Sequence, residues 1–443
     1  MSHPEQQNEP PQRLLVQDAS RRVDVEAKQK QIKDLLIRAN ADAVLLQDPA
    51  NIAWFTSGAD LHRCTTETSR TSIFVTGEAR LFATNAVDSA QIFEREAFGL
   101  GFQLKQREWF QPHQDLIFDL CRGRRVISDS GVAETVGAPE RIANLRLPLM
   151  DLDVQRLKQL GRVATYAVEA TACRVRRGMK EAEVAGEVSH RLIKRTVTPV
   201  RIQVCADGRN ERYRHWMYGE NPIERYAVIS CMARRWGLHV GVCRTVCLDT
   251  VPGDLSEAYQ KVVLMHATGQ YFSRNGTQIG EVWKKVHRIY EKFGLPSEWQ
   301  RADQADVIGF TPGEHQVYPD STVFLTAPTT VYWHPSIGPA MAGDTVLVQE
   351  KSAHFLTSRS SWPTMTVQVK GRDVPCPAIL RLPSSVTGNK EELEVPAGTI
   401  GRTLPFDDEP DDRLESVWEV DLSSDSVFDA DDSSAYSGES VLE

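Results

Sequence analysis

Two apolar runs joined by a short turn lie in the second half of the chain, and this segment constrains the fold more than any other. The runs cover residues 226–235 and 238–248 and are rich in Val, Ile and Cys, which is typical of buried strands. The connection Arg235–Gly237 suits a tight β-hairpin. Between Tyr226 and Leu248 there is no acidic residue. The sequence therefore predicts a buried hairpin that carries no carboxylate on either face.

The region before this half has the pattern of an α/β domain, predicted over residues 21–148. Its first helix is predicted from about Val23 to Ala39, because Ile32, Leu35 and Leu36 fall on one face. The remaining predicted elements are strands at 41–46, 51–58, 71–77, 80–85 and 124–128, and helices near 88–97 and 112–122.

A second domain is predicted over residues 149–382 and contains the hairpin. The helices predicted in it cover about 151–177, 180–196, 254–273 and 278–294. The other strands predicted in it lie at 199–206, 306–310, 322–327, 344–349 and 353–357. The expected fold class is therefore α+β, with two domains in sequence.

The terminal segments differ in composition from the two domains. Residues 1–20 and 383–443 are polar and are predicted to be disordered. The net charge of the chain is −9, but residues 404–443 contain 14 acidic residues and one basic residue, so residues 1–403 carry +4. This nearly neutral body gives no reason to expect nucleic acid as a ligand. The acidic tail is either an inert solubilising segment or a segment that orders on a protein partner.

Hydropathy and cysteine usage bear on the compartment. No apolar run approaches 18 residues and the first twelve residues are polar, so neither a membrane span nor a secretory signal is predicted. The eight cysteines are scattered without a compact disulfide framework, which suits reduced thiols. We therefore expect a cytoplasmic protein.

Several short motifs of the second half occur in the order found in one known family. Residues 178–185, Gly-Met-Lys-Glu-Ala-Glu-Val-Ala, resemble a helix start of the form G-x-T-E-x-E-V-A. The hairpin resembles V-L-I-D-x-G-A-x-x-x-G-Y-x-x-D-x-T-R-T, with Arg244 and Thr245 at its final pair. Residues 307–310, 323–328 and 344–348 resemble its G-H-G-I-G-L, V-F-x-x-E-P and E-D-T-V-L-V motifs, and residues 51–58 resemble N-I-x-Y-L-T-G of its first domain. The chain thus resembles the pita-bread family of creatinase, prolidase and aminopeptidase P. The resemblance implies a creatinase-like N-terminal domain followed by a pita-bread domain.

The resemblance also implies a two-metal centre, and this sequence lacks the ligands for one. Peptidases of the family hold two divalent metals with two Asp, one His and two Glu, which leaves a bridging hydroxide as nucleophile. The corresponding positions are, in order, Ser230, Gly241, Asp306, Ala327 and Gly343. Only one of the five is a carboxylate, so we expect no bound metal and no other cofactor.

Creatinase, in the same family, hydrolyses a C–N bond without metal through a histidine upstream of the hairpin. His215 lies close to that position and is the candidate general acid or base. Cys243 stands where creatinase has a supporting glutamate, and it is also a conceivable nucleophile. Further candidates for the cavity are Ser230, Gly241, Arg244, Asp306, His315, Ala327, His334 and Gly343, with Glu314 and His239 as residual candidates and Arg201, Arg214 and Arg244 as possible anion anchors. Each has an ordinary structural alternative: His215 as a surface histidine, residues 314–315 as an exposed turn, and Cys243 as a small buried side chain.

Three functions remain open on these grounds. The first is a metal-independent protein that binds or hydrolyses a small amide-like or amidine-like molecule, or a short peptide, in the pita-bread cavity. The second is a non-catalytic binding or scaffold protein, a homodimer as relatives often are. The third is a genuine Xaa-Pro aminopeptidase-type metallopeptidase whose ligands are misread. Whether the chain is an enzyme is therefore left open.

Overall fold

The N-terminal domain is built on a six-stranded mixed sheet. The computed structural model describes residues 18–61, 71–357 and 361–383. Cys64, the acidic tail and nearly all of residues 1–20 lie outside them. The strands of this sheet follow the order β4-β3-β2-β1-β5-β6. They are β1 (Ala43–Leu46), β2 (Ser72–Thr76), β3 (Arg80–Asn85), β4 (Gln103–Arg107), β5 (Val126–Ser128) and β6 (Val136–Gly137).

Helices cover both faces of this sheet. All four residues of β1 are buried, and alternate ones belong to two different hydrophobic clusters, so both faces of the strand are packed. The helices are α1 (Ala19–Ala39), α2 (Pro49–Phe55), α3 (Ser89–Gln91), α4 (His113–Cys121) and α5 (Pro139–Arg146), and α3 continues as a π turn over Ile92–Glu96.

One predicted strand of this domain is a helix. We predicted a strand at 51–58, whereas α2 occupies most of that segment. The side chain of Asp48 accepts the backbone N–H of Ala50, and Pro49 stands at the first helical position. This cap and the fixed φ of proline favour a helix start over an extended segment.

The C-terminal domain contains a nine-stranded sheet. Its main path is β11-β10-β12-β15-β9-β8-β7, with β16 beside β15 and β19 beside β9. These strands are β7 (Thr198–Ala206), β8 (Tyr226–Arg235), β9 (Leu238–Leu248), β10 (Ala305–Ile308), β11 (His315–Gln316), β12 (Thr329–Trp333), β15 (Gly343–Val348), β16 (Ala353–Phe355) and β19 (Leu380–Leu382). Two small hairpins complete the domain: β13 (Ser336–Ile337) with β14 (Ala340–Met341), and β17 (Thr364–Val369) with β18 (Arg372–Pro377).

Four long helices accompany this sheet. They are α6 (Asp151–Ala172), α7 (Glu181–Ile193), α8 (Gly253–Phe272) and α9 (Ile279–Lys292). Helix α6 packs on β8 and β9, α7 on β7, and α8 on β12 and β14. Among the described residues, none of these or the other helices has the length and apolarity needed to cross a bilayer.

The hairpin of β8 and β9 has the predicted limits and turn. Its register runs from Tyr226 opposite Cys247 to Arg235 opposite Leu238. Trp236 and Gly237 form the turn, both with positive φ, and a Cβ on Gly237 would lie 2.4 Å from the Cβ of Ala53 in the first domain. The hairpin tip therefore packs closely against α2.

Candidate functional site

Strand alternation places one row of residues across the concave face of the large sheet. Gln203 pairs with Ser230, Ser230 with Cys243, and Cys243 with Gly343. Because residues directly opposite each other in a sheet point to the same face, these four line one surface. Gly241, two residues before Cys243 on β9, lies on this face as well.

The side chain of Tyr332 fills the space in front of this row. Its ring lies so close to the hairpin that a Cβ added to Gly241 would be 2.6 Å from the ring carbons. A Cβ added to Gly343 would lie 2.8 Å from the Tyr332 hydroxyl. That hydroxyl is 3.4 Å from the Ser230 hydroxyl, and Tyr332 is 1% exposed. Burial raises the pKa of the Tyr332 phenol far above its usual value, so the ring stays neutral.

A polar cluster lies beside Tyr332. His334 stacks on the tyrosine ring, with centroids 4.6 Å apart, and its Nε2 is 3.2 Å from Oδ2 of Asp306. The same Nε2 is 4.0 Å from Oδ2 of Asp303. One ligand atom from each of these three residues lies within 4.8 Å of the other two. We refer to Asp303, Asp306 and His334 as the acid-histidine cluster.

Asp303 and His334 of the acid-histidine cluster line a small pocket. Its volume is about 20 Å³, which is room for about one water molecule. The other residues around this pocket are Arg201, Gln203, Asn210, Arg214, His215, Ala302, Ser336 and Met341.

His215 lies at the rim of this pocket. Its side chain is 61% exposed, and its Nε2 is 3.6 Å from Oδ1 of Asp303. The neighbouring Arg214 is fixed by Glu298 and donates to the carbonyl of Gly338 at 3.0 Å. His215 is therefore close to the acid-histidine cluster but is not itself a buried member of it.

Cys243 lies on the concave face but lacks the surroundings of a nucleophile. It is fully buried, packs with Cys205 and Val228, and its Sγ is 3.9 Å from the carbonyl oxygen of Met341. Burial raises the pKa of the Cys243 thiol well above its usual value. A neutral buried thiol is inert, and the structural alternative fits this residue better.

Arg244 was a predicted cavity residue, and the structure places it on the opposite face of the sheet. Its Nε donates to Glu169 of α6 at 2.8 Å, its Nη1 to Asp344 at 2.9 Å and its Nη2 to the carbonyl of Thr357 at 2.6 Å. Burial works against the charge, but Asp344 and Glu169 outweigh it and raise the pKa of Arg244. The one-residue offset from Cys243 directs Arg244 to the helical side.

His315 is also absent from the concave face. It pairs with Val307, whose side chain points away from that of Asp306 on the same strand. His315 instead borders a second pocket of about 210 Å³ between Leu147 and Phe324, and burial lowers its pKa. Glu314 beside it is bound by Arg146 in two contacts of 2.7 and 3.0 Å, so it is an interdomain anchor and not an exposed turn residue.

Ala327 is the third predicted cavity residue, after Arg244 and His315, that lies away from the row on the concave face. It is partly exposed, its N–H donates to Oδ1 of Asn275 at 3.0 Å, and it precedes β12. The strand that we predicted at 322–327 lies at Thr329–Trp333. Two X-Pro pairs flank β12: Ala327-Pro328 precedes it and His334-Pro335 follows it. Because Trp333 pairs with Asp344, the next residue, His334, lies beside Gly343, and Ala327 lies at the other end of the strand.

The residues present do not fit the two-metal centre that the resemblance implies. Ser230, Gly241 and Gly343 offer no carboxylate, and the Tyr332 ring leaves no room for an acidic side chain at either glycine. Of the five motif positions, only Asp306 has a side chain that could ligate a metal, and the nearby Asp303 and His334 each offer one more ligand atom. Two ions with a bridging hydroxide need more anionic ligands than this.

Several residues of this site were not predicted from the sequence, among them Tyr332, Asp303 and Met341. Tyr332 lies in the segment Thr329–Trp333, whose β-branched and aromatic residues are typical of a strand. We predicted the strand in the preceding run, 322–327, instead. Asp303 precedes β10 in a loop, and no local pattern marks it. Met341 reaches the pocket from β14, a two-residue strand too short to be recognised.

Comparisons with known proteins agree with this fold. Residues 155–350 match the description Metallopeptidase family M24. A putative dipeptidase, YkvY of Bacillus subtilis (strain 168), is 22% identical over 178 residues, which are 40% of this chain and 49% of that protein. The chain thus spans about half the length of this curated relative.

Solved structures cover more of the chain. The Xaa-Pro dipeptidase from Bacillus anthracis superposes with a TM-score of 0.66 at 16% identity, covering 81% of this chain and 100% of that one. The prolidase from Pyrococcus horikoshii OT3 gives 0.64 at 17% identity, covering 75% and 98%. Dipeptidase PepE from Mycobacterium ulcerans gives 0.66 at 14% identity, covering 82% and 99%. Residues 155–350 of this chain thus correspond to a domain of metallopeptidase family M24, and the solved structures show that the chain has the pita-bread fold.

Proposed function

We propose that this chain is a non-peptidase member of family M24, in which the cavity binds a small ligand and does not cleave Xaa-Pro bonds with two metal ions. The observation that carries the proposal is the Tyr332 ring, which occupies the space in front of Ser230, Gly241 and Gly343. A peptidase of this type needs a metal-bridging hydroxide there. An aromatic ring excludes both the ions and the hydroxide.

The acid-histidine cluster indicates the chemistry of the ligand. Asp303 and Asp306 contribute two carboxylates, which favour a group that is positively charged or donates hydrogen bonds. The N–H groups of an amide-like or amidine-like molecule meet this requirement, and a metal cation meets it through its charge. The proposed ligand is therefore bound through these two aspartates.

An assay of Xaa-Pro dipeptide cleavage tests the first part of this proposal. We expect no cleavage by the purified chain with Mn²⁺, Co²⁺ or Zn²⁺ added, measured beside the prolidase from Pyrococcus horikoshii as the active control. Cleavage that is stimulated by metal and abolished by a chelator would show that the chain is a metallopeptidase and would overturn the proposal.

Hydrolysis without a metal pair is a second candidate function, favoured by one contact. His334 is oriented by Asp306 at 3.2 Å, and the adjoining pocket has room for about one water. An imidazole held in this way can act as a general base on that water. If a screen of small amides gives turnover, His334→Ala should abolish it, whereas loss on His215→Ala alone would assign the base to the rim histidine.

A chain without turnover that is dimeric in analytical ultracentrifugation fits the non-catalytic scaffold instead.

A further inference from the structure

The acid-histidine cluster has the spacing of ligands around one metal ion. A metal bound at about 2.1 Å to nitrogen and oxygen ligands places neighbouring ligand atoms about 3.0 to 3.4 Å apart and opposite ones about 4.2 Å apart. The distances from Nε2 of His334 to Asp306 and Asp303 are 3.2 and 4.0 Å. All three ligand atoms fall within 4.8 Å of each other. A common ion requires the separation of the Asp303 and Asp306 oxygens, which is at most 4.8 Å, to be about 4.2 Å or less.

The charges of the acid-histidine cluster are suited to a divalent cation. Two carboxylates lie next to one imidazole, Asp306 and His334 are almost fully buried, and Asp303 is 30% exposed. A divalent ion neutralises both carboxylates at once. Arg201 and Arg214 line the same pocket and oppose a cation, although Arg214 is paired with Glu298, so we expect affinity in the micromolar range and no tighter.

The size of the pocket distinguishes a metal ion from an organic cation. A volume of about 20 Å³ accommodates about one water-sized group beside the cluster. A planar amidinium has at least three non-hydrogen atoms, so an organic ligand places only one N–H group in this space and keeps the rest of the molecule outside it. A metal ion with one bound water does fit, and Tyr332 leaves no space for a second ion.

His215 supplies a fourth ligand at the rim. Its Nε2 is 3.6 Å from Oδ1 of Asp303, and its side chain is 61% exposed, so it lies outside the group of three and must rotate toward them to bind the same ion. Two imidazoles and two carboxylates form a mixed nitrogen and oxygen set, which suits Zn²⁺, Co²⁺ or Fe²⁺ better than Mg²⁺ or Ca²⁺.

We propose that Asp303, Asp306 and His334, with His215 as a fourth ligand, form a single-ion site for a divalent transition metal, displaced from the two-metal position of the family. The site rests on the proposed function, because it specifies the cation bound by that cavity. The single-ion site differs from the two-metal centre of the family because Asp303 corresponds to none of the five ligand positions of that centre.

Metal titration of the full chain tests this site. The protein is stripped with chelator, dialysed and titrated with Co²⁺ and Zn²⁺ by calorimetry, and bound metal is counted by mass spectrometry. We expect one ion per chain with micromolar affinity and a visible Co²⁺ spectrum of four or five coordination. Asp303→Asn and His334→Ala should each weaken binding by about 100-fold, and His215→Ala by about 10-fold with the stoichiometry unchanged.

Controls separate ligand loss from unfolding. Asp320→Asn changes an exposed aspartate outside the acid-histidine cluster and should leave the affinity unchanged. Circular dichroism of each variant reports whether it is folded, and the Co²⁺ spectrum reports the ligands directly. Failure of the wild type to bind, or binding that survives both Asp303→Asn and His334→Ala, overturns the site while leaving the non-peptidase proposal intact. Two bound ions together with Xaa-Pro cleavage overturn both, and binding of benzamidine by the metal-free chain but not of Co²⁺ assigns the cluster to an organic cation.

Discussion

Tyr332 shows how one side chain can account for several absent ligands. Once its ring lies against β9 and β15, positions 241 and 343 must be glycine, because a Cβ at either position would come within 2.8 Å of the tyrosine. Real Cβ atoms do not approach other heavy atoms so closely. Restoring an acid at either position therefore requires removal of the ring first.

Truncation of this ring should be costly to stability. Tyr332→Ala removes a fully buried aromatic side chain and should lower the free energy of unfolding by about 3–5 kcal/mol. Tyr332→Phe keeps the ring and loses only the 3.4 Å contact with Ser230, so it should cost about 1 kcal/mol or less. Urea denaturation of both variants measures the difference. Equal costs would mean that the hydroxyl, not the ring, matters at this position.

At the scale of elements, a buried ionic network joins α6, α8, β9 and β15 on the helical side of the large sheet. Arg244 binds Glu169 of α6 and Asp344 of β15, and Nε2 of His266 on α8 is 3.4 Å from Asp344. Oδ1 of Asp344 also accepts the hydroxyl of Thr357 at 2.7 Å. Separating α6 or α8 from the sheet would leave a buried charge without its partner, which costs free energy. The network therefore holds these helices on the sheet.

His266 gives this network a dependence on pH. Burial lowers its pKa to about 4, against a weaker opposing effect of Asp344. Between pH 6.5 and 4 the unfolded chain gains a proton at this residue and the folded chain does not, so stability must fall as the pH falls through that window. The loss at pH 4 is on the order of 3 kcal/mol for one such histidine.

The variant His266→Gln should flatten the acid side of the stability curve. Burial also lowers the pKa of His239, at the start of β9, to about 4, so His239→Gln should flatten the curve by a similar amount. The double variant should be nearly independent of pH between 6.5 and 4 in urea titrations, apart from the contribution of the acidic groups. Unchanged slopes in both single variants would contradict the assignment.

The sequence predicted the hairpin better than its surroundings. Residues 226–235 and 238–248 are long apolar runs with a glycine turn, and long runs of one pattern define their strands well. The segment 322–335 contains two short apolar runs, each followed by proline, and periodicity alone does not decide between them. The one that forms β12 is selected by tertiary pairing with β10 and β15. Asp303 lies in a loop, where the sequence has no periodicity from which the direction of a side chain can be predicted.

At the scale of the whole molecule, buried ion pairs hold the two domains together. Lys28 of α1 is completely buried, 2.5 Å from Asp24 and 3.8 Å from Asp153 of α6. Arg146 of α5 binds Glu314 of the second domain and also the side chain of Asn51. The hairpin tip at Gly237 adds close contact with α2. These contacts argue that the domains unfold together.

Breaking the Arg146–Glu314 pair should test this coupling. Its side chains are only 7% and 4% exposed, so Glu314→Gln leaves a buried guanidinium without its carboxylate and should cost about 3–5 kcal/mol. The matched control is Glu78→Gln, whose partner Lys33 lies within the same domain. The side chains of that pair are 48% and 84% exposed, so the substitution should leave the stability nearly unchanged. Calorimetry should show one unfolding transition for the wild type and for Glu78→Gln, and a lower or divided transition for Glu314→Gln. Two separate transitions in the wild type itself would mean that the buried pairs do not couple the domains.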